Sequence, residues 1–291
     1  GPGLCAMMEV LGLAAMTELP LVVIDVQRGG PSIGLPTKAE QSDLLQAMFG
    51  RNGECPLPVL AAAFPSDGFA VSVEAIRLAC KFMTPVVILT DVFLNSGLEP
   101  WRIPDESELP AIIAASAGSD TFQPYARNEW LARPWETPGT PGREHRVGGL
   151  EKEEGSGAVN YDPQNHETMV RLRAEKIAKI ADDIPELAVY GPVEGELLVI
   201  GWGNTYGAIA TAVQRARRRG VAVAHTHLRH LNPLPRNTGD VLKRYRRVLV
   251  PELNRGQLLM LLRSRFAVDA VGLHKLQGRP FRAAEIEEAI G

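Results

Sequence analysis

The sequence predicts an α/β protein with two parallel-sheet domains. Three observations carry that expectation. Apolar runs of strand length alternate with helix-periodic segments. Glycine- and proline-rich turns follow the runs. The alternation also occurs twice, on either side of an irregular stretch of different composition. In the first half, Leu4, Met7, Met8, Leu11 and Ala15 fall at helical spacing over residues 4–18, with Gly12 tolerated inside. Leu21-Val22-Val23-Ile24-Asp25-Val26 reads as a buried parallel strand over 20–26, and residues 40–49 as an amphipathic helix. A second buried strand spans 58–64 and is stopped by Pro65-Ser66-Asp67-Gly68, where Ser66 or Asp67 can cap a helix from Phe69 to Phe82. Thr84 to Thr90 forms a third strand ending in Asp91.

The texture then shifts. Residues 122–157 are dominated by Pro, Gly, Arg and Glu, with Phe122, Tyr125, Trp130 and Trp135 among them. A long irregular stretch inside a compact chain generally has a function, and the interleaved aromatics favour an ordered arm over a flexible linker. Gln164 to Asp183 reads as a helix with Met169, Leu172, Ile177 and Ile180 on its apolar face. Strands are expected at 196–202, 221–227, 247–251 and 268–273, and helices near 205–219, 237–244, 256–266 and 282–290. The expected organisation is 1–104, 105–190 and 191–291: a parallel α/β domain, an irregular arm with a helix, and a second α/β domain.

Bulk composition narrows the function. With 45% hydrophobic and 22% charged residues, the chain has the balance of a soluble globular protein. The net charge of −3 gives no footprint for nucleic acid. No apolar run is long enough to span a membrane, and no signal peptide is evident. Three scattered cysteines, Cys5, Cys55 and Cys80, supply neither a disulfide framework nor an iron–sulfur ligand set. They fit a reducing cytoplasm, with Cys5 and Cys80 as small buried helix residues.

The most informative stretch is Gln27-Arg28-Gly29-Gly30-Pro31-Ser32-Ile33-Gly34-Leu35-Pro36-Thr37-Lys38. It leaves the carboxyl end of the first predicted strand, the end at which open α/β sheets bind ligands. Its glycines permit positive φ and close backbone approach, and its prolines stiffen the loop. A guanidinium there suits a planar carboxylate held by two parallel hydrogen bonds. A tight turn with a solvated arginine is the plainer alternative.

The wording of this loop, Arg28-Gly29-Gly30-Pro31-Ser32 through Gly34, Pro36 and Thr37, resembles that of the alpha subunit of 2-oxoacid:ferredoxin oxidoreductases, especially the 2-oxoglutarate type. The resemblance continues through Met83-Thr84-Pro85, Glu99-Pro100-Trp101-Arg102-Ile103-Pro104-Asp105, Pro138-Gly139-Thr140-Pro141-Gly142 and Glu144-His145-Arg146. It extends to Gly148-Gly149-Leu150-Glu151-Lys152, Leu228-Arg229-His230-Leu231-Asn232-Pro233, Val250-Pro251-Glu252-Leu253-Asn254 and Gln277-Gly278-Arg279-Pro280-Phe281. It implies that residues 1–104 are the C-terminal part of a thiamine-diphosphate pyrimidine-binding-type domain and that 191–291 are similar to a transketolase C-terminal domain. It also implies coenzyme A-dependent oxidative decarboxylation of a 2-oxoacid, with Arg28, Thr37, Ser32 and Gly30 binding substrate. Thiamine diphosphate and Mg2+ would be shared with a beta subunit carrying a [4Fe–4S] cluster, and ferredoxin would accept the electrons. Gly1-Pro2-Gly3, without methionine, matches the family just before its first helix here, so the chain is read as amino-terminally truncated and catalytically silent alone. Ile33 stands where the family usually has threonine, which removes one donor. The alternatives are a pyruvate or branched-chain 2-oxoacid enzyme, or a non-catalytic assembly subunit with a vestigial loop.

Other constellations are less telling. Gly201-Trp202-Gly203-Asn204-Thr205-Tyr206-Gly207 follows a strand and opens a helix, yet its spacing departs from Gly-x-Gly-x-x-Gly and no acid ends the next strand. A tight strand-to-helix turn accounts for it better than a nicotinamide or flavin site. His225, His227 and His230 have a metal-like spacing but no carboxylate or cysteine to complete a shell, and Arg229 opposes a cation. Glu144-His145-Arg146 is read either as part of the active-site surroundings or as a structural cluster.

Overall fold

A computed structural model describes residues 1–112 and 122–291. The elements run α1 (Pro2–Thr17), β1 (Leu21–Gln27), α2 (Leu44–Phe49), β2 (Val59–Ala61), α3 (Asp67–Phe82), β3 (Pro85–Asp91) and α4 (Val92–Ser96). After the arm come α5 (Pro163–Lys179), β4 (Gly195–Trp202), α6 (Tyr206–Arg218), β5 (Val223–Leu228) and β6 (His230–Asn232). The chain closes with α7 (Thr238–Lys243), β7 (Tyr245–Glu252), α8 (Gln257–Phe266), β8 (Ala270–His274) and α9 (Ala283–Ile290).

These strands build two four-stranded sheets, β1-β3-β2-β6 and β5-β4-β7-β8. β1, β2 and β3 are mutually parallel where they pair, as are all pairs of the second sheet. The α/β class with parallel sheets is therefore as the sequence predicts. The unpredicted strand is β6, which crosses over from the second half of the chain and pairs antiparallel with β2.

Alternation along each strand explains the layering. Val59, Ala61, Val87 and Leu89 of the first sheet meet Leu198, Ile200, Trp202 and Val250 of the second in one central core. The opposite face of the first sheet, through Leu60, Val86 and Ile88, packs on α3 and on Ile177 and Ile180 at the end of α5. The outer face of the second sheet, through Leu197, Val199 and Leu249, packs on α6 and α9. No helix among the described residues is long and apolar enough to cross a membrane.

Two sequence expectations need correction. β1 is an edge strand with one buried face: Val23, Asp25 and Gln27 point inward, while Ile24 is 56% exposed. A continuous apolar run reads as doubly buried, but β1 has a sheet neighbour on one side only. Cys5 does lie in a helix, but it is exposed and Cys80 is partly so, since neither falls on the stripe of its helix that meets the core.

The arm is anchored at the end of α1. Glu18, in the left-handed conformation that closes this helix, is buried and ion-paired to Lys176 at 2.5 Å and to Arg127. Arg133 donates to the Glu18 carbonyl at 3.1 Å and lies 5.0 Å from the Tyr125 ring. The Tyr125 hydroxyl donates to the Arg146 carbonyl at 3.0 Å. Burial alone would raise the Glu18 carboxyl, but the Lys176 and Arg127 charges overcome it and hold it below its ordinary value.

Replacing Glu18 by alanine strands two buried cations and is expected to cost about 3–5 kcal/mol in urea unfolding. Because the folded carboxyl titrates below the unfolded value of 4.5, its stabilisation is complete above that pH and is lost as pH falls through the folded value. Glu18→Gln should therefore flatten the acid limb of stability against pH. An acid limb as steep in the variant as in the parent would place its source elsewhere.

Candidate functional site

The parallel register sets Gln27, the last residue of β1, level with Asp91, the last residue of β3. Gln27 uses both ends of its amide here. Its Nε2 donates to the Thr90 carbonyl at 3.1 Å, and its Oε1 accepts the Asp43 N–H at 3.0 Å. One buried side chain thus ties the departure of the loop to its return. Within the loop, Leu35 N–H donates to Gly29 O at 2.7 Å, Gly29 N–H to Lys38 O at 3.0 Å and Lys38 N–H to Leu35 O at 3.0 Å. Gly34 has φ 54°, and a Cβ there would lie 2.0 Å from the Gly29 oxygen, so only glycine closes this turn.

Arg28 sits half-buried at the root of this closed loop, its carbonyl accepting from Ser42 Oγ at 3.2 Å. Among the described residues its guanidinium has no carboxylate partner. Gly30, Ser32 and Thr37 lie along the exposed crest, as does Ile33 at 68% exposure. The structure thus gathers Arg28, Gly30, Ser32 and Thr37 on one braced loop at the carboxyl end of an edge strand, without direct hydrogen bonds among their side chains.

The base of the loop is held by the second half of the chain. Gln41 is fully buried; its Nε2 donates to Trp202 O and its Oε1 accepts Leu253 N–H, both at 2.8 Å. Its own backbone N–H donates to Leu253 O at 3.1 Å, and its carbonyl accepts from Asn254 Nδ2 at 2.9 Å. The glycine turn after β4 follows from this clamp: at Gly203, with φ 59°, a Cβ would lie 2.8 Å from Gln41 Nε2. Gln257 adds a second clasp, donating to Ser42 O at 2.8 Å and accepting Leu45 N–H at 2.9 Å. Lys38 covers Gly278.

Two buried acids lie beneath the loop. Asp91 caps α4 by accepting from Phe93 N–H at 2.8 Å and Leu94 N–H at 3.2 Å, while its other oxygen accepts from Asn204 Nδ2 at 2.6 Å. Burial raises its pKa to about 6 despite these bonds. Asp25 is raised above its ordinary value by burial and by the adjacent Asp43 carboxylate.

The remaining candidates fall apart in space or into structural roles. His230 Nε2 faces Glu74 at 3.3 Å, while the ring nitrogens of His225 and His227 have no hydrogen-bond partner. Among the described residues no three His, Cys, Asp or Glu side chains gather into a metal-binding group. His145 contacts Arg133 at 3.1 Å and the Arg143 carbonyl at 2.8 Å, which builds it into the arm. No role for Gln27, Gln41, Asn204 or Gln257 is legible in the sequence alone, since lone amides carry no spacing signal. Their position just after predicted strands, or facing such a position, was the available hint.

The class comes from comparison with known proteins: a family of oxidoreductases described as thiamine diphosphate-binding. Residues 1–171 match the family model described as pyruvate flavodoxin/ferredoxin oxidoreductase, thiamine diphosphate-binding, and the chain belongs to this family. It is 55% identical to the 2-oxoglutarate oxidoreductase subunit KorA of Mycobacterium tuberculosis, over 100% of this chain and 45% of that one. It is 32% identical to the 2-oxoglutarate synthase subunit KorA of Methanothermobacter marburgensis, over 89% of this chain and 69% of the relative. Among solved structures, the 2-oxoglutarate:ferredoxin oxidoreductase of Magnetococcus marinus, bound to 2-oxoglutarate, coenzyme A and succinyl-CoA, superposes with a TM-score of 0.94 at 35% identity. That match covers 100% of this chain and 51% of the other. The chain thus spans about half the length of the Mycobacterium relative and of the solved enzyme subunit.

The Asp91 carboxyl should titrate near pH 6 in carbon-13 spectra, and Asn204→Ala should move the midpoint upward by removing a donor to the ionised form. The raised value means that the folded state binds a proton more readily than the unfolded one between 3.8 and about 6. Stability contributed by this group therefore falls as pH rises through that window. A midpoint near 4 would contradict the buried, desolvated setting.

Proposed function

We propose that this chain is the substrate-loop portion of the alpha subunit of a 2-oxoglutarate:ferredoxin oxidoreductase. The reaction is coenzyme A-dependent oxidative decarboxylation, and the chain acts in complex with a beta subunit that carries a [4Fe–4S] cluster and passes electrons to ferredoxin. The observation that carries this reading is the unpaired Arg28 guanidinium on a loop braced from both halves of the chain. Family membership and the likeness to 2-oxoglutarate enzymes support it.

The described residues contain no cluster of His, Cys, Asp or Glu to hold a magnesium–diphosphate unit, so no step is assigned to a metal on this chain. Thiamine diphosphate, when bound, supplies the nucleophilic carbon and the electron sink for decarboxylation. This chain's part is to bind and orient. Arg28 receives a substrate carboxylate through two parallel hydrogen bonds, and the Thr37 and Ser32 hydroxyls donate to neighbouring oxygens. The backbone at Gly30 lets the substrate approach closely, since nothing lies within 4 Å of a Cβ built there. Ile33 projects an apolar side chain from the same crest. This feature supports the second reading, a loop adapted to a less polar 2-oxoacid or retained in a non-catalytic assembly subunit.

In the assembled enzyme, Arg28→Ala should lower kcat/KM for 2-oxoglutarate by roughly ten- to two-hundredfold, corresponding to loss of a charge-assisted contact of about 1.5–3 kcal/mol. Arg28→Lys should recover only part of that loss, because an ammonium keeps the charge without the fork. The assay follows 2-oxoacid- and coenzyme A-dependent reduction of a viologen dye, with thiamine and iron content checked in each variant. Unchanged kcat/KM at full cofactor loading would remove Arg28 from the substrate site. An assembled, loaded wild-type complex inactive on every common 2-oxoacid would favour the assembly-subunit reading.

A further inference from the structure

On the outer face of the second sheet, with no residue of the Arg28 loop in its lining, lies a cavity of about 590 Å³ between α6 and the edge of β5. Thr211, Gln214 and Arg218 fall at i, i+3 and i+7 and so form one stripe of α6 facing it, with Arg217 beside them. The opposite wall is Tyr190, whose backbone pairs with that of His225 and whose ring stacks on the His225 imidazole at 4.9 Å and 19°. His225 is 8% exposed, and neither ring nitrogen has a partner. No carboxylate lines the cavity.

Arginines in the last turn of a helix commonly serve only its dipole. The four here divide differently. Arg215 and Arg219 pair with Glu287 at 3.5 and 2.9 Å, while Arg217 and Arg218 turn to the cavity without an ion-pair partner among the described residues. Two full positive charges outweigh the half-charge of the helix terminus. The wall therefore offers several hydrogen-bond donors, net positive charge and a half-exposed flat ring. Burial and the nearby Arg217 charge already hold the His225 pKa below its usual value.

We propose that this cavity is a binding site for a phosphate monoester that also bears a planar ring, as a nucleoside monophosphate does, distinct from the Arg28 loop. Arg217, Arg218 and Gln214 hold the phosphate oxygens, and the face of the Tyr190 ring that His225 leaves uncovered stacks on the ligand's ring. A phosphate needs several donors at once, which this wall supplies and a single arginine would not. The stacking face of Tyr190 adds the preference for a ring over the bare anion.

The test uses the chain itself with adenosine monophosphate and inorganic phosphate as probes, read by calorimetry and by the His225 imidazole resonance. Both probes should shift that resonance and raise the His225 pKa, because an anion beside Arg217 cancels the charge that depresses it. The nucleotide should bind more tightly than phosphate. Arg217→Ala with Arg218→Ala should weaken both probes at least tenfold, and Tyr190→Ala should abolish the advantage of the nucleotide while leaving phosphate binding intact. These positions are exposed or half-exposed, and circular dichroism checks that the variants stay folded. A His225 resonance indifferent to both probes at millimolar concentration would overturn the proposal. Binding undiminished in the double arginine variant would overturn it equally.

Discussion

The side chain of Gln41 is the point on which the site depends. An amide with no accessible surface must satisfy both its donor and its acceptor within the protein, or the loss approaches the full desolvation cost. Its donor goes to Trp202 O and its acceptor to Leu253 N–H, while its main chain bonds to Leu253 and Asn254. Every partner is a residue at the carboxyl end of β4 or just beyond β7. The position of the Arg28 loop is thus set by the second sheet even though the loop grows out of the first. The absence of a Cβ at Gly203, where one would collide with Gln41, is the same constraint seen from the other side.

A second constraint sits behind the first. Glu18 is surrounded by Lys176 from α5, Arg127 from the arm and the backbone contact of Arg133. Paired buried charges contribute little net stability compared with apolar packing, but they have few acceptable arrangements. Between residues 122 and 160 the chain has only isolated backbone bridges, Tyr125 with Gly155 and Lys152 with Val159, to fix it. Aromatic packing at Tyr125, with Lys152 donating to the Gly148 and Leu150 carbonyls, reinforces them.

How much of this could be read from the sequence follows the physics of each feature. Strands such as Pro85–Asp91, apolar from Pro85 to Leu89, and long helices such as α3 and α5 announce themselves by period and length. The loop was legible because Gly34 and the prolines are backbone requirements written in residue type. β6 was not: its three residues are too few for an alternation to show, and its partner lies in the other half of the chain. The exposed face of β1 was equally hidden, since edge position is a property of the sheet and not of the strand. The histidines show the limit of spacing in the same way, for residues close in sequence part company once His230 turns towards Glu74 in the first sheet.

β6 also bears on how the protein is made. Its residues pair with Val59 and Leu60, Asn232 donates to Leu57 O at 2.6 Å across 175 positions of sequence, and Arg229 pairs with Asp67. During synthesis from the amino terminus, the first sheet must wait with its β2 edge unpaired until the ribosome has released residue 232. Contacts of such separation are closed late and at high entropic cost. The nascent first half therefore carries an open edge until β6 is made, a period in which a neighbouring chain on the same message could pair there instead.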